Sequence, residues 1–301
     1  MKNKYLLIVV FVLSVTAILS SRSSTSFLDE KEDGTLVNLY NPKTKEINSL
    51  DLEEYVLGVV AAEMPASFNE EALKAQAIAA RTYAVYKLEH TNKEYDLIAD
   101  VSNQAYINKD EMREKWQDEF AYYYKKIQNA VESTKSVIMF YKDEPIIAYY
   151  FAMSNGSTED SSLVFGEKND YLTSVDSLWD KDVRNYEVIN TISKTEFCQK
   201  LNILCDNIII DNINKSGTGR VNTIMINNKI FKGTEVRSLL GLRSTDFEIN
   251  VKDNIEITTK GYGHGVGMSQ YGANEMAKLG YKYDEILKYY YQNVELKPIH
   301  V

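Results

Sequence analysis

"AAEMPASFNEEALKAQAIAARTYA", Ala61 to Ala84, is an alanine-lined apolar stretch with a proline near its start. It carries one acid just before that proline, Glu63, and, deep in the alanine-rich part that follows, the cation Arg81. Upstream, "DLEEYVLGVVAAE" spaces its apolar residues for a helix, with Asp51 placed to cap it. Glu53 and Glu54 fall in the first turn, where the helix dipole favours negative charge. Pro65 stops that helix. Ser67 and Glu70 then form an S-x-x-E capping box, which predicts a second helix running to about Glu89. Ala72, Ala75, Ala77, Ala79, Ala80 and Ala84 remove side-chain bulk, so another backbone can approach closely. The second helix is therefore a core helix.

This arrangement puts Glu63 at the C-terminal end of an apolar helix. The negative end of the dipole and the apolar neighbours both disfavour an ionised carboxylate, which is the tuning a general acid needs. A frayed helix end whose glutamate faces water fits the same residues. Arg81, in an alanine-rich helix, needs a partner, because burying a lone cation is expensive. A neighbouring acid would make it a structural cation.

Working outward, "TLVNLYNPKTKEINSL" reads as two strands turning at Asn41-Pro42, residues 110–134 as a further helical pattern, and "SVIMFYKDEPIIAYYFAM" as a hairpin. Next come the polar loop "SNGSTEDSS", strands such as "VNTIMINNKIF", a short helix around "TEVRSLLG", and a last helix "YDEILKYYYQN". Helices and strands in mixed order give an α+β fold. The expected division is a large mixed helix/sheet domain with a cleft, residues 35–179 and 256–301, and a smaller appended domain, residues 180–255.

The chain has 301 residues, a net charge of −9 and 26% charged residues, a globular balance that argues against a nucleic-acid groove. Lys2 and Lys4 precede an uncharged run from Tyr5 to Ser21, closed by Arg22. At helical rise that run spans roughly 26 Å, just enough for a bilayer core. No good small-residue cleavage pair sits outside it, so residues 1–22 read as an uncleaved membrane anchor with the bulk of the chain outside, and residues 23–34 as a tether. Cys198 and Cys205 are open to a local disulfide or to two buried thiols. No CxxC and no Cys/His pair has metal-ligand spacing, so no metal and no cofactor are expected. The 22 tyrosines suit a polymer surface, although most fit equally well in half-buried sheets.

In "GYGHGVGMSQYGA", Gly261, Gly263, Gly265 and Gly267 surround His264. The spacing matches no nucleotide-binding loop. Alternating glycines let the backbone approach a ligand closely and leave His264 as the one reactive side chain of the turn.

Together, "LEEYVLGVVAAEMPASFNEEALKAQAIAARTYA", "QAY" at Gln104–Tyr106, "SNGSTE", "YLTSVDS" and "GHGVGMSQYGA" resemble the stage II sporulation protein D family of lytic transglycosylases, from about Leu36 to Val294. The resemblance implies cleavage of peptidoglycan glycan strands between N-acetylmuramic acid and N-acetylglucosamine, with peptide-stripped strands preferred. It places the catalytic acid on Glu63 and an active-site arginine on Arg81. The tyrosine of a "PYL" motif falls on Tyr171, with Asp170 in place of the proline. Gln104, Tyr106, Ser154, Asn155, His264 and Gln270 become substrate contacts. Some members hold zinc through a cysteine and a histidine near the serine-rich loop. Here "AYYFAMSNGSTEDSS" has neither, so zinc is dispensable to the expected chemistry.

The setting implied is an anchor in the mother-cell membrane, facing the intermembrane space during engulfment. The implied partners are a sporulation amidase, stage II sporulation protein P, and a scaffold, stage II sporulation protein M. Two rivals stand beside this reading. One is a hydrolase of the same bond, with Glu159, Asp160 or Asp176 as its second acid. The other is a non-catalytic wall-binding module that enhances an amidase.

Overall fold

A computed structural model of the chain describes residues 34–299. The expected anchor, and the tether but for Gly34, lie outside the described residues. Among the described residues no helix is long and apolar enough to cross a membrane.

Strands β1 (Leu36–Asn41) and β2 (Glu46–Asp51) form an antiparallel hairpin. It feeds directly into α1 (Leu52–Glu63). Asp51 caps that helix, its Oδ1 accepting the Glu53 N–H at 2.8 Å and the Glu54 N–H at 3.3 Å. Helix α2 (Glu70–His90) is buried without a break from Ala75 to Val85 and packs on α1. Its cap is Asn69 and not Ser67: Asn69 Oδ1 accepts the Glu71 N–H at 3.0 Å. Residues 65–68 are taken up by a turn, Phe68 N–H to Pro65 carbonyl, and Asn274 Oδ1 holds the Asn69 N–H at 2.8 Å. The helix therefore starts after the site that the S-x-x-E pattern marks.

Strand β3 (Leu97–Ile98) joins β1 in parallel. The helical pattern of residues 110–134 resolves into α3 (Lys109–Trp116) and α4 (Phe120–Glu132). Gln117, at φ 46°, ψ −117°, breaks the ladder between them. Strands β4 (Val137–Tyr141) and β5 (Glu144–Pro145) make a hairpin through Lys142 and Asp143, both at positive φ. After β6 (Tyr150–Phe151) comes a short helix, α5 (Ser161–Phe165).

The chain continues through β7 (Glu187–Ile192), α6 (Lys194–Leu201), the meander β8 (Ile210–Lys215), β9 (Val221–Ile226) and β10 (Lys229–Lys232), and then α7 (Gly233–Leu240). Strands β11 (Phe247–Val251) and β12 (Ile255–Lys260) join β7 in one antiparallel sheet that reaches Lys260. The glycine-rich segment leads to β13 (Met268–Ser269), α8 (Gln270–Lys278), α9 (Tyr283–Tyr290) and β14 (Glu295–Pro298). Strand β13 pairs in parallel with β6, and β14 pairs with β4.

The fold is α+β. Buried apolar side chains form two clusters: a large one around α1, α2, α4 and α9, and a smaller one from Phe197 to Ile257. Cys198 and Cys205 are joined by a disulfide at the edge of the smaller cluster, with Cα atoms 5.6 Å apart.

Candidate active site

Glu63 is the last residue of α1, so its side chain sits where helix carbonyls lack N–H partners. Lys115 of α3 supplies one, donating from Nζ to the Ala61 carbonyl at 2.8 Å. The Ala105 N–H donates to Glu63 Oε1 at 2.7 Å. Burial raises the Glu63 carboxyl above its ordinary value, and the Ala105 N–H and the Lys115 charge offset only part of that. Lys115 is itself lowered by burial. The outcome is a largely buried carboxyl that keeps its proton to higher pH than an exposed glutamate does.

Gln104, next to Ala105, is 1% exposed and organises two tyrosines. Its Oε1 accepts the Tyr55 hydroxyl at 2.8 Å, and its Nε2 donates to the Tyr150 hydroxyl at 3.0 Å. Gln104 therefore positions the groups around Glu63 and presents almost no surface to a sugar, contrary to the expected substrate contact. Tyr106 stacks on Tyr55 with ring centroids 5.9 Å apart, and burial pushes its phenol up to about 12. Its ring lies where a Cβ on Gly58 would have to be, which accounts for a glycine inside α1.

Arg81, the active-site arginine that the resemblance implies, is paired with Glu53 and not with Glu63. It has no exposed surface and clamps Glu53, donating from Nε to Oε1 at 2.9 Å and from Nη2 to Oε2 at 2.5 Å. Nη1 also donates to the Val137 carbonyl at 3.1 Å. Arg81 is the structural cation of the core, tying the first turn of α1 to β4. Its absence from the neighbourhood of Glu63 removes the charge that would have ionised the acid.

His264 lies against Tyr149, Phe151 and Phe165, with ring centroids 5.3–5.9 Å away. Its Nδ1 accepts the Val266 N–H at 3.1 Å, which leaves the proton on Nε2, and the ring is hydrogen-bonded to the Tyr150 main-chain carbonyl. Burial, aided by the Arg237 and Arg220 charges, lowers it to about 4, so it is neutral at physiological pH. The surrounding glycines are needed. Gly267, at φ 77°, has the Tyr149 carbonyl where a Cβ would go, and Gly265, at φ 89°, lies against the Arg220 guanidinium.

The remaining expected contacts lie in other environments. Gln270 is 4% exposed and donates to Gln76 Oε1 at 3.3 Å. Ser154 is buried, its Oγ 2.8 Å from both the Ser177 carbonyl and Asp180 Oδ2. Asp180 also accepts from Ser177 and Ser269, both at 2.7 Å, so this carboxylate knots three loops together. Asn155 Nδ2 donates to the Thr218 carbonyl at 2.8 Å and to Asp246 at 2.7 Å. The Tyr171 hydroxyl accepts the Ile147 N–H at 3.2 Å, and burial raises that phenol to about 12. Ser154, Gln270 and Arg81 are thus interior residues, and the polar character that marked them serves packing.

With this geometry in view, comparison with known proteins is informative. The chain is 41% identical over 290 residues to "Stage II sporulation protein D" of Bacillus subtilis (strain 168), covering 93% of this chain and 84% of the relative. The chain belongs to the stage II sporulation protein D family. The family profile described as "Stage II sporulation protein" matches residues 40–141. "Stage II sporulation protein D" of Bacillus amyloliquefaciens is 42% identical over 274 residues, 88% of this chain and 80% of the relative. "Amidase enhancer" of Bacillus subtilis (strain 168) is 28% identical over 300 residues, covering 79% of this chain and 40% of that protein. The protein is thus a member of a sporulation family.

Tyr55, Tyr150 and Lys115 around Glu63, and Glu53 as the partner of Arg81, are the roles that sequence reasoning missed. Lys115 and Tyr150 are distant in sequence from the α1–α2 hairpin, and no motif marks them. Glu53 was legible only as a first-turn acid, yet it lies on the face of α1 toward α2, which is the partner that a buried Arg81 needs.

Proposed function

We propose that the protein is a lytic transglycosylase that cuts peptidoglycan glycan strands and leaves 1,6-anhydro ends on muramic acid. The observation that carries this is Glu63, a largely buried carboxyl at a helix end, raised by that burial and only partly offset by the Ala105 N–H and the Lys115 charge. A glycosidase needs two carboxyl groups in register; a transglycosylase can use one. Protonated Glu63 gives its proton to the glycosidic oxygen as the C1–O bond breaks. The carboxylate left behind, stabilised by the Ala105 N–H and Lys115, accepts the proton of the muramic C6 hydroxyl as that oxygen closes on C1. The attack is intramolecular, so proximity replaces a positioned water.

The hydrolase alternative loses two of its three second acids, Glu159 and Asp160, and keeps the exposed Asp176. Glu159 is 3% exposed and accepts from Ser216 at 2.6 Å and from Thr218. Asp160 caps α5 through the Ser162 N–H at 2.9 Å. An open cavity of about 570 Å³ is lined by Ser67, Phe68, Trp179, Arg184 and Tyr271 among others, and Glu63 is not part of its lining. Its mix of aromatic faces and charges suits sugar rings.

We place the smaller cluster in an appended domain and the chain outside the cytoplasm, held by its N-terminal run. The disulfide supports that setting, since such bonds persist in oxidising compartments. An amidase that strips stem peptides is the partner this chemistry calls for, with stage II sporulation protein P as the family's amidase and stage II sporulation protein M as its membrane scaffold. The relative named "Amidase enhancer" favours a second reading, a module that promotes an amidase without cutting.

Mass spectrometry of peptide-stripped strands decides among these. Products one water lighter than reducing ends, formed by the parent and not by Glu63→Gln, are expected. Reducing-ended products would establish a hydrolase. Strand binding with no cleavage by the parent, both alone and with a sporulation amidase added, would establish the binding module.

A further inference from the structure

Every hydrogen-bonding proton around Gln104 can be assigned but one. The Gln104 amide orientation is fixed by the Ala80 carbonyl, 3.4 Å from Nε2, because that oxygen can only accept. Gln104 Oε1 is therefore the acceptor for Tyr55, whose single hydroxyl proton is spent there. Gln104 Nε2 donates to the Tyr150 oxygen, so Tyr150 acts as an acceptor in that bond. Among the described residues, nothing accepts the Tyr150 hydroxyl proton.

That proton lies in a particular neighbourhood. Glu63 is the charged group with the strongest influence on the Tyr150 phenol; the others are the neutral hydroxyls of Tyr55 and Tyr291. Gln104 and Ala105 are consecutive, so one short segment holds Tyr150 by a side chain and Glu63 by a main-chain N–H. No hydrogen bond joins Tyr150 to Glu63. Glu63 Oε1 is occupied by the Ala105 N–H, and no partner engages Oε2. Neighbouring residues of one segment thus hold the Tyr150 hydroxyl, its proton uncommitted, and the Glu63 carboxyl, one of its oxygens open.

Resting on the transglycosylase reading above, we propose that Tyr150 is a second catalytic residue, donating its free hydroxyl hydrogen bond to the glycan oxygen that Glu63 protonates. As the C1–O bond lengthens, negative charge grows on that oxygen before the proton arrives. A fixed donor aimed there acts more strongly in the transition state than in the ground state. Tyr150 keeps its proton throughout: burial holds the phenol well above its ordinary value, so Glu63 alone transfers one.

The glycine loop acquires a purpose in this scheme. β6, which carries Tyr150, pairs with β13 at Met268, and neutral His264 is hydrogen-bonded to the Tyr150 main-chain carbonyl. His264 is thus a positioning residue for Tyr150.

The test is Tyr150→Phe, which keeps the ring and removes the hydroxyl, assayed with the full chain on peptide-stripped strands. The expected result is a kcat lower by about 10–100-fold with KM unchanged, as for loss of a donor used only in the transition state. The descending limb of the pH–rate profile, set by Glu63, should stay where the parent has it. A variant as fast as an active parent overturns the inference. So does a loss that comes with a shifted limb, a raised KM and a lower melting temperature, which would mean that Tyr150 only holds Glu63 in place. A parent that cuts no strand would sink the transglycosylase reading itself, and this inference with it.

Discussion

At the scale of the residue, two groups are set against their ordinary ionisation. Glu63 is raised by burial. His264 is lowered to about 4, also by burial, and the arginines near it add to the effect. The histidine has a consequence for stability. Between its unfolded value near 6.5 and about 4, the unfolded chain binds a proton that the folded chain refuses. Folding stability contributed through His264 is therefore fully present above pH ~6.5 and is lost as pH falls toward about 4. Thermal melts of the parent and of His264→Gln across that window should show a flatter pH dependence in the variant. Parallel curves would mean that the imidazole is solvated and titrates normally. His264 was legible in sequence as the chemical group of a glycine-rich turn. Its neutral, Tyr150-anchoring role was not, because the aromatic rings that desolvate it come from residues 149–165.

At the scale of the element, the α1–α2 hairpin was readable because its signals are local. Asp51 caps, Pro65 follows the stop, and the alanines mark close packing. The errors in the same region are tertiary in origin. Ser67 offers a better cap on paper than Asn69, but Asn274, two hundred residues away, fixes the turn so that Asn69 takes the role. The partner of Arg81 is decided by which face of α1 meets α2, and that face carries Glu53, ten residues before Glu63. Breaking this pair should be costly: Arg81→Ala leaves Glu53 uncompensated and should lose about 3–5 kcal/mol in urea unfolding. Glu53→Gln with Arg81→Met should lose less than the two single changes combined, because each single change strands a charge. Additive losses would mean that the two side chains do not interact.

At the scale of the whole molecule, two apolar clusters share one chain that leaves the larger and returns to it. A disulfide at the edge of the smaller joins Cys198 within α6 to Cys205 in the loop after it, a separation of 7 residues. Chain-entropy arithmetic for so short a loop gives roughly 2.5 kcal/mol. Reduction should therefore lower the melting temperature measurably, with exchange of amides in residues 194–232 rising before those of α2. Uniform loosening would mean that the two clusters unfold as one unit. The order of helices and strands was legible from periodicity and turn residues. The convergence of Glu63, Gln104, Tyr150 and His264 was not, since it depends on β6 pairing with β13 across more than a hundred residues.

The claim on which the account turns is that this fold makes Glu63 keep its proton to higher pH than an ordinary glutamate does. Titration of the Glu63 side-chain carboxyl by 13C NMR, assigned by its disappearance in Glu63→Gln, measures this without substrate or partner. A midpoint above the ordinary 4.5 is the predicted result. A midpoint at or below that value would contradict the account, leaving Glu63 a carboxylate with no proton to give.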